Sequence, residues 1–120
     1  MPAPILIVDD DDVTRNTLSL LLRGAGYATA TATDGQEALN YLRTHPAPSL
    51  VLLDLLMPAA DGWQFLAERG KDPSFAIVPV IVLSGGGKAL RAAALTLGAN
   101  DFFEKPMDPD DLLAVVGLYA

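Results

Sequence analysis

Short, unbroken apolar runs recur along the chain, and each stops at a polar or charged residue. Ile5-Leu6-Ile7-Val8 meets Asp9-Asp10-Asp11-Asp12, Leu50-Val51-Leu52-Leu53 runs into Asp54, and the run over 77–83 ends at Ser84-Gly85-Gly86-Gly87. Continuous rather than alternating apolarity is the pattern of strands buried on both faces of a parallel sheet. Residues 27–33 alternate Ala with Thr and predict a thinner strand, and 101–104 predict a short one ending at Lys105-Pro106. Between these runs the apolar period becomes helical. Leu18, Leu21, Leu22 and Ala25 predict a helix over 13–25, ended by Gly24 and Gly26. Asp34 and Glu37 stand at capping-box spacing before Ala38, Leu39 and Leu42. Trp63, Phe65 and Leu66 predict a short helix closed by Gly70. Leu90, Ala93, Ala94 and Leu97 mark another, and Leu112, Val115, Val116 and Tyr119 the last. Five strand–helix pairs with short loops predict an α/β fold, a parallel sheet with helices on both faces.

With 120 residues, the chain is expected to form a single domain over 1–120. It has no cysteine, which excludes disulfides, thiolate metal sites and cysteine nucleophiles. Eight Lys+Arg against fifteen Asp+Glu give a net charge of −7, unsuited to direct nucleic-acid binding. At 51% hydrophobic and 19% charged residues, the chain has the composition of a folded protein. No apolar run approaches the roughly 18–20 residues of a membrane span, so no membrane partner is expected. Met1-Pro2-Ala3-Pro4 carries no basic leader, and a cytoplasmic location is expected.

Open parallel sheets bind ligands beyond the carboxyl ends of their strands. There this sequence places Asp9 and Asp10, Asp54, Ser84 and Lys105. Asp11 and Asp12 read as helix caps and favourable charges at a helix start. Asp54 resists that reading, because three apolar residues precede it and Leu55, Leu56 and Met57 follow. A carboxylate in such a run must meet a cation or take a proton. Three clustered carboxylates repel unless a metal neutralises them, and an all-oxygen set suits a hard cation such as Mg²⁺. Asp54 is then placed to attack a phosphoryl group, with a lysine and a hydroxyl to hold the phosphoryl oxygens.

Four motifs, in this order, resemble the receiver domain of two-component response regulators. They are Val8-Asp9-Asp10-Asp11 with Arg15, Leu53-Asp54-Leu55-Leu56-Met57-Pro58 with Asp61-Gly62, Leu83-Ser84-Gly85, and Gly98-Ala99-Asn100-Asp101-Phe102 with Lys105-Pro106. The resemblance covers nearly the whole chain. It implies a flavodoxin-like, doubly wound five-stranded parallel sheet of order 2-1-3-4-5, with helices on both faces. It implies Asp54 as phosphoacceptor, Mg²⁺ held by Asp9, Asp10, Asp54 and the backbone carbonyl of Leu56, and Ser84 and Lys105 on the phosphoryl group. Ser84 and Phe102 become the switch pair, and a cis bond before Pro106 is expected. The implied partners are a histidine kinase or histidine phosphotransfer protein, and a downstream protein or fused output domain. Such a domain catalyses only its own phosphorylation and dephosphorylation and is not otherwise an enzyme.

This chain has its own variations on the pattern. Ser84 stands where Thr is more frequent, and Leu56 and Gly86 offer no hydrogen-bonding side chain. Phe102 lacks the hydroxyl of a tyrosine, so its ring is expected to occupy the inward position appreciably even without phosphorylation. The last helix carries no Lys or Arg, which disfavours salt-bridged pairing through it. Two alternatives stay open on sequence alone. Asp9-Asp10-Asp11-Asp12-Val13-Thr14 also resembles the nucleophile motif of haloacid-dehalogenase-type phosphatases, and the chain could be a pseudo-receiver that binds partners without phosphorylation. His45 reads as ordinary surface, and Trp63 as packing at a helix start.

Overall fold

The computed structural model describes residues 3–55, 61–85, 87 and 89–120, with the backbone alone for Asp61. Five parallel strands, β1 (Ile5–Val8), β2 (Thr29–Ala32), β3 (Leu50–Asp54), β4 (Val80–Ser84) and β5 (Asp101–Glu104), lie in the order β2-β1-β3-β4-β5. The helices are α1 (Asp12–Gly24), α2 (Gly35–Thr44), α3 (Asp61–Lys71), α4 (Pro73–Ala76), α5 (Ala89–Thr96) and α6 (Pro109–Tyr119).

Side chains alternate faces along each strand, and the unbroken apolar runs therefore feed two cores. Ile5, Ile7, Leu50, Leu52, Ile81 and Leu83 point to one face, where they pack with Leu22 of α1 and with Leu112 and Val116 of α6. Leu6, Val8, Val51, Leu53, Val80 and Val82 point to the other, against α2, α3 and α5. The sheet is thus covered on both sides, as the continuous runs require.

Local chemistry explains the helix starts. Asp34 accepts the amide of Glu37 at 2.7 Å. The Glu37 carboxylate reaches one residue further back than a standard capping box, to the Thr33 hydroxyl at 3.0 Å and the Thr33 amide at 3.3 Å. His45 caps the end of α2 and stacks on Tyr41, with ring centroids 4.1 Å apart.

The fourth expected strand needs correction. It begins at Val80 rather than 77, because Asp72 caps a short helix that Pro73 opens. Ile77 ends that helix with 77% of its surface exposed. The second strand is also shorter than 27–33, spanning Thr29–Ala32.

The amino edge of the sheet is closed by a buried cation that the sequence reading did not single out. Arg69 of α3 is 3% exposed. Its guanidinium donates to the carbonyls of Gly98 (2.9 Å), Ala76 (3.1 Å) and Val78, and to Oδ1 of Asn100 (3.3 Å). Burial depresses its basicity. Gly98 has φ +103°, and a Cβ there would lie 3.2 Å from the Arg69 guanidinium.

Candidate functional site

The register of the sheet brings the polar residues together. Val8 pairs with Leu53, Asp54 with Leu83, and Ser84 with Glu104. β3 thus ends one residue further along than β1, and β4 one further than β3, while β5 ends level with β4. Asp9 emerges beside Asp54, Ser84 one step beyond, and Lys105 beyond that. The Lys105 amide donates to the Ser84 carbonyl at 2.9 Å and ties the last two together.

Asp9 is 2% exposed and Asp54 9%, whereas Asp10 faces solvent. One carboxylate oxygen from each of Asp9, Asp10 and Asp54 falls in a cluster within 4.8 Å. The Asp9 carboxylate is held at both oxygens, Oδ1 accepting the Asp11 amide at 2.9 Å and Oδ2 accepting from Lys105 Nζ at 3.0 Å. Lys105 Nζ also stands 3.5 Å from Oδ2 of Asp54. Burial alone would lower the basicity of this lysine. Its hydrogen bond to Asp9 and the charges of Asp54 and Asp9 outweigh that, and the ammonium is held above the ordinary lysine range.

Ser84 is fully buried at the end of β4. Phe102 is 3% exposed, its ring within the core between the sheet and α2, α3 and α5. The Phe102 carbonyl accepts from Arg91 at 3.2 Å. The Lys105–Pro106 peptide is cis.

Asp11 takes no part in the cluster. It caps α1, accepting from the Val13 amide at 3.3 Å and from the Thr14 hydroxyl. The Thr14 hydrogen bond holds its carboxyl below the usual range. Asp12 lies in the first turn of α1 and pairs with Arg15, which also donates to the Asp9 carbonyl at 2.8 Å. Arg15 belongs to the opening motif, but nothing in the sequence shows these two contacts.

The mouth of the site depends on α3 starting hard against β3. A Cβ at Gly62 would lie 2.8 Å from both the Asp54 carbonyl oxygen and Leu55 Cα. Only glycine permits that approach. Leu56, expected to offer its carbonyl, and Gly86 lie outside the described residues. Trp63 is partly buried against the core, and His45 is exposed.

Among the described residues, three carboxylates facing one ammonium leave an excess of negative charge at a site where two of the acids are buried. Oxygen donors with that imbalance fit a hard divalent cation such as Mg²⁺.

Residues 5–117 match the family model described as response regulator receiver domain. Response regulator Rre1 of Synechocystis sp. is 36% identical over 117 residues, covering 96% of this chain and 50% of that protein. The probable transcriptional regulator ycf27 of Guillardia theta is 41% identical over 111 residues, covering 92% and 42%. The chain therefore spans about half the length of these relatives or less. The crystal structure of a putative response regulator from Chloroflexus aurantiacus superposes with a TM-score of 0.91 at 34% identity, over 99% of this chain and 98% of that one. A two-sided parallel sheet of order 2-1-3-4-5, an acidic cluster at its carboxyl edge and a family match over almost the full length lead to one assignment: the chain belongs to the response regulator receiver domain family.

Proposed function

We propose that the chain acts as a phosphoaspartate switch with Asp54 as its acceptor. The supporting observation is the placement of Asp54, 9% exposed at the end of β3, among two further carboxylates and 3.5 Å from Lys105. The phosphoryl donor is a histidine kinase or histidine phosphotransfer protein. An Asp54 oxygen forms the new O–P bond as the N–P bond of the donor imidazole breaks. The electron pair leaves with the imidazole nitrogen, which then takes up a proton. Lys105 pairs with the arriving phosphoryl oxygens, and the Ser84 hydroxyl donates to one of them. Mg²⁺ held by Asp9, Asp10, Asp54 and the Leu56 carbonyl would supply neutralisation of the phosphoryl charge during transfer. Hydrolysis reverses the state, water giving its oxygen to phosphorus and Asp54 regaining its carboxylate.

Residues 1–120 act as one domain, in the cytoplasm, with no direct hold on nucleic acid. Rre1 and ycf27 continue beyond the matched region, which supports a fused output domain or a separate downstream protein as the receiver of the signal. Movement of Ser84 toward the phosphoryl group and a change in the packing of Phe102 carry that signal to the surface around β5. The phosphatase alternative requires Asp11 or Asp12 as the second aspartate of the reaction centre, but Asp11 caps α1 and Asp12, in its first turn, pairs with Arg15.

Incubation with acetyl phosphate and Mg²⁺ should add one labile phosphoryl group, seen by intact-mass spectrometry. Asp54→Asn should abolish the addition and Asp11→Asn should retain it. Stoichiometric phosphate on Asp54→Asn would overturn the acceptor assignment. Absence of any addition to the wild type, with a histidine phosphodonor as well, would leave the pseudo-receiver reading in its place.

A further inference from the structure

Four aspartates stand in a row from Asp9 to Asp12, and each has a different fate. Asp9 is buried with both oxygens engaged, Asp10 turns toward Asp54, Asp11 caps α1, and Asp12 is drawn back onto the helix. Residue type alone does not distinguish the pair that faces a metal from the pair that does not. Something must sort them.

We propose that Arg15 is the positioning residue that sorts them, by clasping the two ends of the β1–α1 turn. One guanidinium nitrogen donates to the Asp9 carbonyl at 2.8 Å, and the other pairs with the Asp12 carboxylate. The Arg15 side chain is only 12% exposed, whereas that of Asp12 is 81% exposed. An ion pair to so exposed a carboxylate contributes little by itself. The bond to the Asp9 carbonyl gives the clasp its anchor. A planar fork can hold two acceptors at a set spacing, which a lysine cannot do.

Two consequences follow for the site. The Asp9 backbone is fixed where its side chain meets both Lys105 and the Asp11 amide. Asp12 is removed as a competing ligand, leaving Asp9 and Asp10 to face Asp54. The Arg15 charge meanwhile meets a backbone carbonyl and Asp12 rather than the clustered carboxylate oxygens.

This role rests on the reading that Asp9, Asp10 and Asp54 hold a divalent cation, and the sign of one measurement separates it from its rivals. A cation that acted only by its charge would repel Mg²⁺, and its removal would tighten binding. A residue that served only the fold would lower the melting temperature and leave affinity alone. A positioning residue weakens binding when removed, by about tenfold or more for groups that orient metal ligands.

The experiment is calorimetric titration of the metal-free full chain with Mg²⁺, with folding checked by circular dichroism. Wild type should bind one Mg²⁺. Arg15→Ala and Arg15→Lys should both bind about tenfold more weakly. Asp12→Asn should show a smaller weakening, since an amide oxygen still accepts from Arg15. Should Arg15→Ala fail to fold, Arg15→Lys and Asp12→Asn carry the comparison. Affinity of Arg15→Ala equal to or tighter than wild type, or full restoration by Arg15→Lys, would overturn the proposal while the metal site stood. A wild type that binds no Mg²⁺ would overturn the metal reading and this inference with it.

Discussion

Lys105 donates to Asp9 at 3.0 Å, joining the end of β5 to the end of β1 across two intervening strands. The same ammonium reaches Asp54 at 3.5 Å. One lysine is therefore the internal counter-ion for the two buried carboxylates of the site. Its removal tests how far the acids depend on it.

Lys105→Met should destabilise the metal-free protein. Breaking a buried ion pair costs about 3–5 kcal/mol, and the 29% exposure of this lysine side chain reduces that to about 2 kcal/mol. Mg²⁺ should raise the melting temperature of the variant by more than that of wild type, because it then replaces the countercharge that Lys105 supplied. The pH dependence has a defined sign. The ammonium is held above its ordinary value, so its stabilisation is complete below about pH 10.5 and is lost as pH rises through the higher folded value. Wild-type stability should fall more steeply than that of Lys105→Met across this alkaline range. Equal stability of the two proteins at pH 7 without metal would contradict the counter-ion role.

Two alanine substitutions in α3 should have opposite effects. Gly62→Ala drives a methyl group to 2.8 Å from the Asp54 carbonyl oxygen of β3 and from Cα of the following Leu55, and neither can step aside cheaply. It should cost about 1–3 kcal/mol and slow phosphoryl uptake by shifting Asp54. At Gly70, Cβ would meet nothing nearer than the Leu97 carbonyl at 3.7 Å. Gly70→Ala should stabilise by about 0.5–1 kcal/mol, through helix propensity alone. Urea denaturation of both variants, together with acetyl phosphate kinetics, checks the pair.

Arg69→Leu should separate stability from function. The substitution leaves the carbonyls of Ala76, Val78 and Gly98 without their shared donor at the amino edge of the sheet. A loss of about 3 kcal/mol is expected, from buried acceptors left unsatisfied. Mg²⁺ affinity should be unchanged, since the acidic cluster stands at the opposite edge. A matching loss of Mg²⁺ affinity in folded Arg69→Leu would show that the two edges are coupled.

Much of the fold was legible because burial on both faces writes itself as unbroken apolar runs. Ile5–Val8 and Leu50–Leu53 appear as strands at the expected positions, and Asp54 stands out because nothing around it in sequence is polar. The same rule misled at Ile77 and Val78. They extend the apolar run of β4, yet Asp72 and Pro73 turn the chain into α4 first, and Ile77 ends exposed. Arg69 occupies a stripe position on α3 beside Phe65 and Leu66, where a charged residue reads as a break in the pattern. Its acceptors are backbone carbonyls from distant segments, which leave no trace in residue types. The division of labour among the four aspartates was legible for Asp11 and Asp12, read as a cap and a charge at the helix start, and Asp11 does cap α1 with Asp12 in its first turn. The Arg15 clasp depends on a guanidinium meeting a backbone carbonyl, which no residue type reveals.

The separation of 96 positions in sequence from Asp9 to Lys105 also governs when the site can exist during synthesis. Chains emerge from their amino ends, and β1, β2 and β3 leave the ribosome before the lysine does. By then Asp9, Asp10 and Asp54 are all available, while the ammonium that compensates two of them is still to come. A partly made chain that pairs β1 with β3 gathers the acids without their protein-borne counter-ion. The last strand to be made is thus also the piece that discharges the tension in the first, and docking β5 completes the sheet edge and the electrostatics of the site in one event.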